Sequence, residues 1–156
     1  MANLQNERIP EKFMGVFKLD RSENFEEFLS SKGVNWFLRK MMGLASVTKV
    51  FKISEENPSE YNAENLTLKK NLYYCNWKLN EAFQAEGFDG KIHQVTFSYD
   101  SKDDVLCEKH IRINDADDKG ETYRYTIQNE ELVMVMLFLI TNFILLITCN
   151  RYFKRQ

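Results

Sequence analysis

The chain has 156 residues, with 21 Lys and Arg against 23 Asp and Glu and a formal net charge of −2. That length suits one domain with a core or an internal cavity, and so balanced a charge argues against a nucleic-acid partner. Cys75, Cys107 and Cys149 are odd in number and widely spaced, which reads as reduced thiols in a cytoplasmic protein, with no disulfide framework and no metal site.

Residues 1–11 read as a loose lead-in, and Met1 to Arg8 contain no apolar run of the kind a secretory signal needs. Phe13 to Asp20 reads as a strand, with Phe17 and Leu19 on one face. At Ser22 the period changes from two to about 3.6. Asn24 is placed to cap a helix, and Glu27, three residues on, completes a capping box. Phe25, Phe28 and Leu29 form the apolar stripe of that helix, and Gly33 can end it in a left-handed turn. In the helix that follows, Val34, Phe37, Leu38, Met41 and Met42 share a face and Gly43 is the expected stop. Its other face carries Trp36, Arg39 and Lys40, with Lys32 just before it. Such a face is either plainly solvated or suited to an anionic membrane surface.

Beyond Gly43, strand-like segments recur about every ten to twelve residues between turn signals, the spacing of a barrel or sandwich. They are Val47–Ile53, Tyr61–Leu68, Asn71–Leu79, Ala82–Ala85, Ile92–Tyr99, Val105–Ile113 and Thr122–Gln128, with Asp89-Gly90 as a hairpin dipeptide. In the sixth of these, Val105, Cys107, Ile111 and Ile113 oppose Glu108, His110 and Arg112. In the seventh, Tyr123, Tyr125 and Ile127 oppose Arg124, Thr126 and Gln128. Twelve Phe and seven Tyr suit a β-rich protein with large apolar volumes to line. No Gly-x-Ser-x-Gly, P-loop, GxGxxG or His-Glu-x-x-His motif occurs. His93 and His110 stand alone and read as strand-surface residues, and the acidic pairs are sequence neighbours pointing to opposite faces or lying in turns. No catalytic constellation is found, and a non-enzymatic protein without cofactor or metal is expected.

Gly15, Phe17 and Leu19, followed by Asn24-Phe25-Glu26, Phe28-Leu29 and Gly33-Val34, together resemble the amino-terminal signature of the intracellular lipid-binding proteins, the calycin-type fatty-acid and retinoid carriers. The resemblance implies a mainly β fold: a ten-stranded antiparallel up-and-down β-barrel capped by a helix–turn–helix, one domain over residues 1–156. It implies a cytoplasmic carrier that reversibly encloses long-chain fatty acids or similar hydrophobic anions, and a monomer is expected. The family holds a carboxylate with an Arg on the eighth strand and an Arg-x-Tyr on the last. By the resemblance Arg124 takes the first role and Arg151 the second, with Phe153 standing where the Tyr belongs and Tyr152 one residue off. An Arg fork suits a carboxylate in a low-dielectric cavity. Read from the residues alone, both arginines are solvated strand residues. In the family the second helix covers the ligand portal and in some members touches anionic membranes, and by the resemblance Phe37, Arg39 and Lys40 take that place here.

Residues 132–149 form an uncharged apolar run without Gly or Pro, atypical where the family has a tight hairpin. In a hairpin, Thr141-Asn142 is the turn-like dipeptide, and Leu132–Ile140 pairs with Phe143–Phe153. The apolar ends of these long strands would project past the barrel rim as an exposed patch. A run of about 18 residues is also a membrane-span candidate. A tethered or altered member that binds lipid weakly is therefore the rival reading, and an inserted segment in an ordinary carrier is a third. A span would leave Arg151, Lys154 and Arg155 on the far side, against the positive-inside tendency, and would take the closing strand from the barrel. The hairpin is the favoured expectation.

Overall fold

The computed structural model describes residues 7–140 and 145–156. A 3-10 turn at Glu11–Phe13 leads into β1 (Gly15–Glu23), the helices α1 (Phe25–Ser31) and α2 (Trp36–Leu44), and nine further strands. These are β2 (Val47–Ile53), β3 (Tyr61–Thr67), β4 (Leu72–Trp77), β5 (Phe83–Glu86), β6 (Ile92–Asp100), β7 (Val105–Arg112), β8 (Glu121–Gln128), β9 (Glu131–Ile140) and β10 (Leu145–Arg155). All ten strands form one sheet in the order β4-β3-β2-β1-β10-β9-β8-β7-β6-β5. Every described ladder is antiparallel. Consecutive strands thus neighbour one another, and the β1–β10 ladder joins the two ends of the chain. Among the described residues, β4 and β5, the two ends of the sheet order, are the one consecutive pair without a ladder between them. The architecture is the expected nearly closed ten-stranded barrel with a helix pair.

The helix cap is held by contacts different from those the sequence suggests. Asn24 adopts a left-handed conformation (φ 59°) and makes no side-chain cap. Its Nδ2 instead donates to the Thr148 carbonyl at 3.2 Å, tying the start of α1 to β10. Asn35, not singled out by the sequence reading, does cap α2, accepting from the Leu38 amide at 3.0 Å. Gly33 behaves as expected: at φ +81° it lets its own amide reach the Ser30 carbonyl and the Val34 amide reach Leu29. That pair of bonds is a Schellman closure. Gly43 does not stop α2, which runs on through Leu44. No α2 side chain is buried, and Phe37, Leu38, Met41 and Met42 stay exposed on the face read as its apolar stripe.

The opposite end of the barrel is plugged. Phe13, from the 3-10 turn, is fully buried and meets Tyr99 edge-on, with ring centroids 6.0 Å apart. Ile9 is buried as well, and its amide donates to the Tyr61 hydroxyl at 3.2 Å. Lys12 pairs with Asp104 in the β6–β7 turn. Arg155 donates to the carbonyls of Met14 and Lys12 at 2.7 and 2.6 Å while lying over the Phe17 ring. Gly15 leaves room for that arginine: its φ is +136°, and a Cβ there would sit 2.5 Å from Arg155 Nη1. Above the plug, Phe51, Trp77, Phe97 and Tyr125 meet across the interior, Trp77 stacked on Phe97 at 3.9 Å.

The apolar C-terminal run is a β-hairpin. β9 and β10 pair continuously from Glu131↔Lys154 to Ile140↔Leu145, and no helix among the described residues is long and apolar enough to cross a membrane. Among the described residues β10 runs from Leu145, and the expected strand start at Phe143 and the expected turn at Thr141-Asn142 lie outside the described residues. Among described pairs, the β8 ladder ends at Met136 and the β1 ladder at Asn150, so the distal ribbon has no neighbour in the sheet. Leu137 and Leu146 are exposed there, the apolar projection expected at the rim.

Candidate functional site

Strand parity decides which side chains face inward. On β2, Lys49 is buried one step before Phe51 along the same face; on β3, Asn65 is buried opposite it. On β7 the inward residues are Leu106, Glu108 and His110, all buried, while Cys107 lies on the other face. That reverses the expectation for His110, which is not a surface residue: the polar face of β7 turns inward. Nor does it stand alone. The His93 ring lies 5.4 Å from His110, and His93 Nε2 meets Asp89 Oδ1 at 2.9 Å. On β8 the fully buried residue is Tyr125, and on β10 the inward residues include Cys149, Arg151 and Phe153, all buried.

These strands bring a charged layer together above the aromatic floor. Glu108 accepts from the Tyr125 hydroxyl at 2.6 Å and shares a 2.7 Å contact with His110 Nε2. Burial pushes the Glu108 carboxyl up, but His110, Lys49 and Tyr125 outweigh burial and hold it well below its ordinary value. It is therefore a carboxylate inside the barrel. Burial, with Glu108 nearby, pushes the Tyr125 phenol well up, so it stays a donor. Burial lowers the Lys49 ammonium; Glu108 opposes that and Arg151 adds to it. Lys49 donates to Asn65 Oδ1 and lies over the Tyr125 ring at 5.3 Å.

Arg151 is the second interior cation. Its guanidinium stacks on Phe25 of α1 at 4.0 Å, and its Nε donates to Ser22 Oγ at 3.1 Å. Burial brings Arg151 down to about 10, with Cys149 and Tyr125 opposing, so it remains charged at neutral pH. Among the described residues its terminal nitrogens have no protein acceptor, a guanidinium ready for an anion. Ser22 and Phe25 also line a cleft of about 840 Å³ between β1 and the two helices, with Arg39 and Lys40 on its far wall.

The four residues read as the head-group site do not come together. Arg151 and Phe153 face inward and are buried, whereas Arg124 is exposed on the outer face, 3.6 Å from Cys107 Sγ. Tyr152 also lies outside, under the Arg21 guanidinium at 4.1 Å and bonded to Glu23. The inward place beside Arg124 belongs to Tyr125, a one-residue difference that parity turns into a change of side. At the cap, Phe37 is exposed, while Arg39 and Lys40 both reach Glu26 of α1, Lys40 at 2.9 Å. Lys32 pairs with Glu121. The basic face of α2 is thus largely spent on internal ion pairs. Lys49, Glu108, His110 and Tyr125 were missed by the sequence reading. The signal was present in the alternation of β7 with β8, since the face that buries Tyr125 also buries Glu108.

No protein-family profile matches the chain. Fatty acid-binding protein homolog 3 of Caenorhabditis elegans is 54% identical over 156 residues, covering 100% of this chain and 88% of the relative. Homolog 4 of the same organism is 50% identical over 148 residues, covering 94% and 96%. Among solved structures, As-p18, described as an extracellular fatty acid binding protein, superposes with a TM-score of 0.85 at 38% identity. The match covers 96% of this chain and 100% of As-p18.

Proposed function

Because this chain belongs to the fatty-acid-binding protein family, we propose that it is a lipid carrier that reversibly encloses a long-chain fatty acid. The observation that carries the head-group assignment is Arg151, a buried guanidinium on β10 whose terminal nitrogens have no protein acceptor among the described residues. The carboxylate meets Arg151, with Lys49 as the second cation of the same layer, and the alkyl tail lies toward the helix cap. Binding, not catalysis, is the activity. The Met134, Met136, Phe138 and Ile147 side chains pack along the upper wall and supply apolar surface for the tail.

Burying about fourteen methylenes at roughly 0.8 kcal/mol each contributes about 11 kcal/mol before ordering costs. A net of about 8–10 kcal/mol corresponds to a Kd between micromolar and tens of nanomolar. Displacement of a fluorescent fatty-acid probe measures it, and no saturable binding below about 100 µM overturns the carrier reading.

The same proposal puts the protein in the cytoplasm, on the strength of its three free thiols, Cys75 exposed, Cys107 half-buried and Cys149 buried, and takes it to act as a monomer. The description of As-p18 as extracellular favours a second reading, secretion. Detection of the tagged protein in cell lysate against medium decides between them, and size-exclusion chromatography tests the monomer. Transient contact with anionic membranes is supported by the exposed Trp36 and Phe37. It would be apolar in the main, because Arg39 and Lys40 are held by Glu26.

A further inference from the structure

The buried charged side chains described are Lys49, Glu108, His110 and Arg151. Lys49 and Arg151 are two buried cations against the single Glu108 carboxylate, so above the ordinary imidazole range these groups sum to one positive charge. Glu108 cannot swing away from that role, because one oxygen is held by His110 and the other by Tyr125. Nor does it cancel Lys49 by direct bonding, since the ammonium donates to Asn65 instead. A buried charge without a counter-charge is costly. A ligand with one negative charge therefore leaves the layer neutral, whereas a dianionic head group leaves it in negative excess beside a carboxylate.

We propose that Glu108 is a specificity-determining residue: it sets the interior charge so that the barrel takes singly charged lipid anions and rejects dianionic head groups such as a phosphate monoester. The inference rests on the carrier reading above but goes beyond it, because the residue that discriminates is an interior carboxylate that repels ligand charge. Lys49 and Arg151 attract, and Glu108 limits how much negative charge they are able to hold.

The test uses the full chain at about pH 8.5, above the ordinary imidazole range, with tetradecanoate, tetradecanol and tetradecyl phosphate competing for a fluorescent probe. The phosphate monoester carries close to two negative charges there. Wild-type protein is expected to bind tetradecanoate at least tenfold more tightly than tetradecyl phosphate. Glu108→Gln, which makes the interior doubly positive, is expected to shrink that ratio about tenfold or reverse it. Lys49→Met, which makes the interior neutral, is expected to lose about tenfold for the acid relative to the alcohol. The double variant restores the single positive charge and should regain preference for the acid over the alcohol. Equal binding of acid and phosphate by the wild type overturns the proposal. So does an unchanged ratio in folded Glu108→Gln, or a double variant no better than Lys49→Met. Should Glu108→Gln fail to fold, the wild-type ratio and the Lys49→Met loss decide alone. If the wild type binds none of the three ligands, the carrier reading itself has failed, a result distinct from any of these.

Discussion

At the residue scale, the two arginines that sequence treats alike are separated by the wall of the barrel. Arg151 is buried beside Phe25 and Ser22, and Arg124 is exposed near Cys107. Arg151→Gln is expected to weaken a fatty acid relative to its alcohol by about 1.5–3 kcal/mol, the scale of a hydrogen bond to a charged group. Arg124→Gln should leave that ratio unchanged. Probe displacement reads both, and a loss at Arg124 equal to that at Arg151 would contradict the facing described here. Glu108 leads to a pH prediction. Its folded-state value is lowered from the ordinary carboxylate value of 4.5. The stabilisation it contributes is therefore fully present above the unfolded value and is lost as pH falls through the folded one. Wild-type stability should drop on acidification below about pH 4.5, and Glu108→Gln should flatten that limb. Urea titrations at a series of pH values measure it, and parallel curves for the two proteins would remove Glu108 as a source of the acid sensitivity.

At the element scale, turns and strand ends carry the information. Gly15 combines φ +136° with a close approach by Arg155 Nη1, so Gly15→Ala strains the backbone and disturbs the bonds from Arg155 to Met14 and Lys12. A loss of about 1–3 kcal/mol is expected, the range for backbone strain at a special φ. Chemical denaturation measures it, and a midpoint shift equivalent to less than about 0.5 kcal/mol would contradict this account. The β9–β10 ribbon exposes Leu137 and Leu146 past the ends of the β8 and β1 ladders. Such a strip promotes edge-to-edge association. Leu146→Lys should raise the concentration at which light scattering detects aggregates, at little cost in stability. Unchanged scattering would show that association uses another surface. The α1–α2 clasp is electrostatic in part, through Glu26 to Lys40 and Arg39, which is why the basic face of α2 was not legible as a paired one: its partner lies on another element.

At the scale of the whole molecule, β10 joins the C-terminus to the start of the chain, with Leu19↔Phe153 and Ser22↔Arg151 in register. Removing it would open the barrel along two ladders at once, those with β1 and β9. The membrane-span reading therefore competes with closure itself. Carbonate extraction of membranes from expressing cells should release the protein; retention in the pellet would overturn the hairpin topology. Enclosure also demands that the cap open, and α2, with no buried side chain of its own, is the element least held by the core.

The sequence by itself determined the strand–helix–helix–strand order. The period change at Ser22, Gly33 as a left-handed stop and the regular spacing of turn signals are local signals that need no distant partner. For the apolar run it favoured a hairpin over a membrane span, because neutral β-forming residues flank a polar break, and the β9–β10 ladder decided it. Only the tertiary structure decided which face of each strand is the inside. An alternating strand reads equally well either way round, and an interior that holds Lys49, Glu108, His110 and Arg151 removes the usual rule that polar residues face water. The same ambiguity put Arg124 inside by resemblance and left Tyr125 unremarked, since a shift of one residue exchanges the two. Capping was settled at the tertiary level too: Asn24 reaches across to β10 because Thr148 offers a carbonyl there, and nothing near Asn24 in the chain announces that partner.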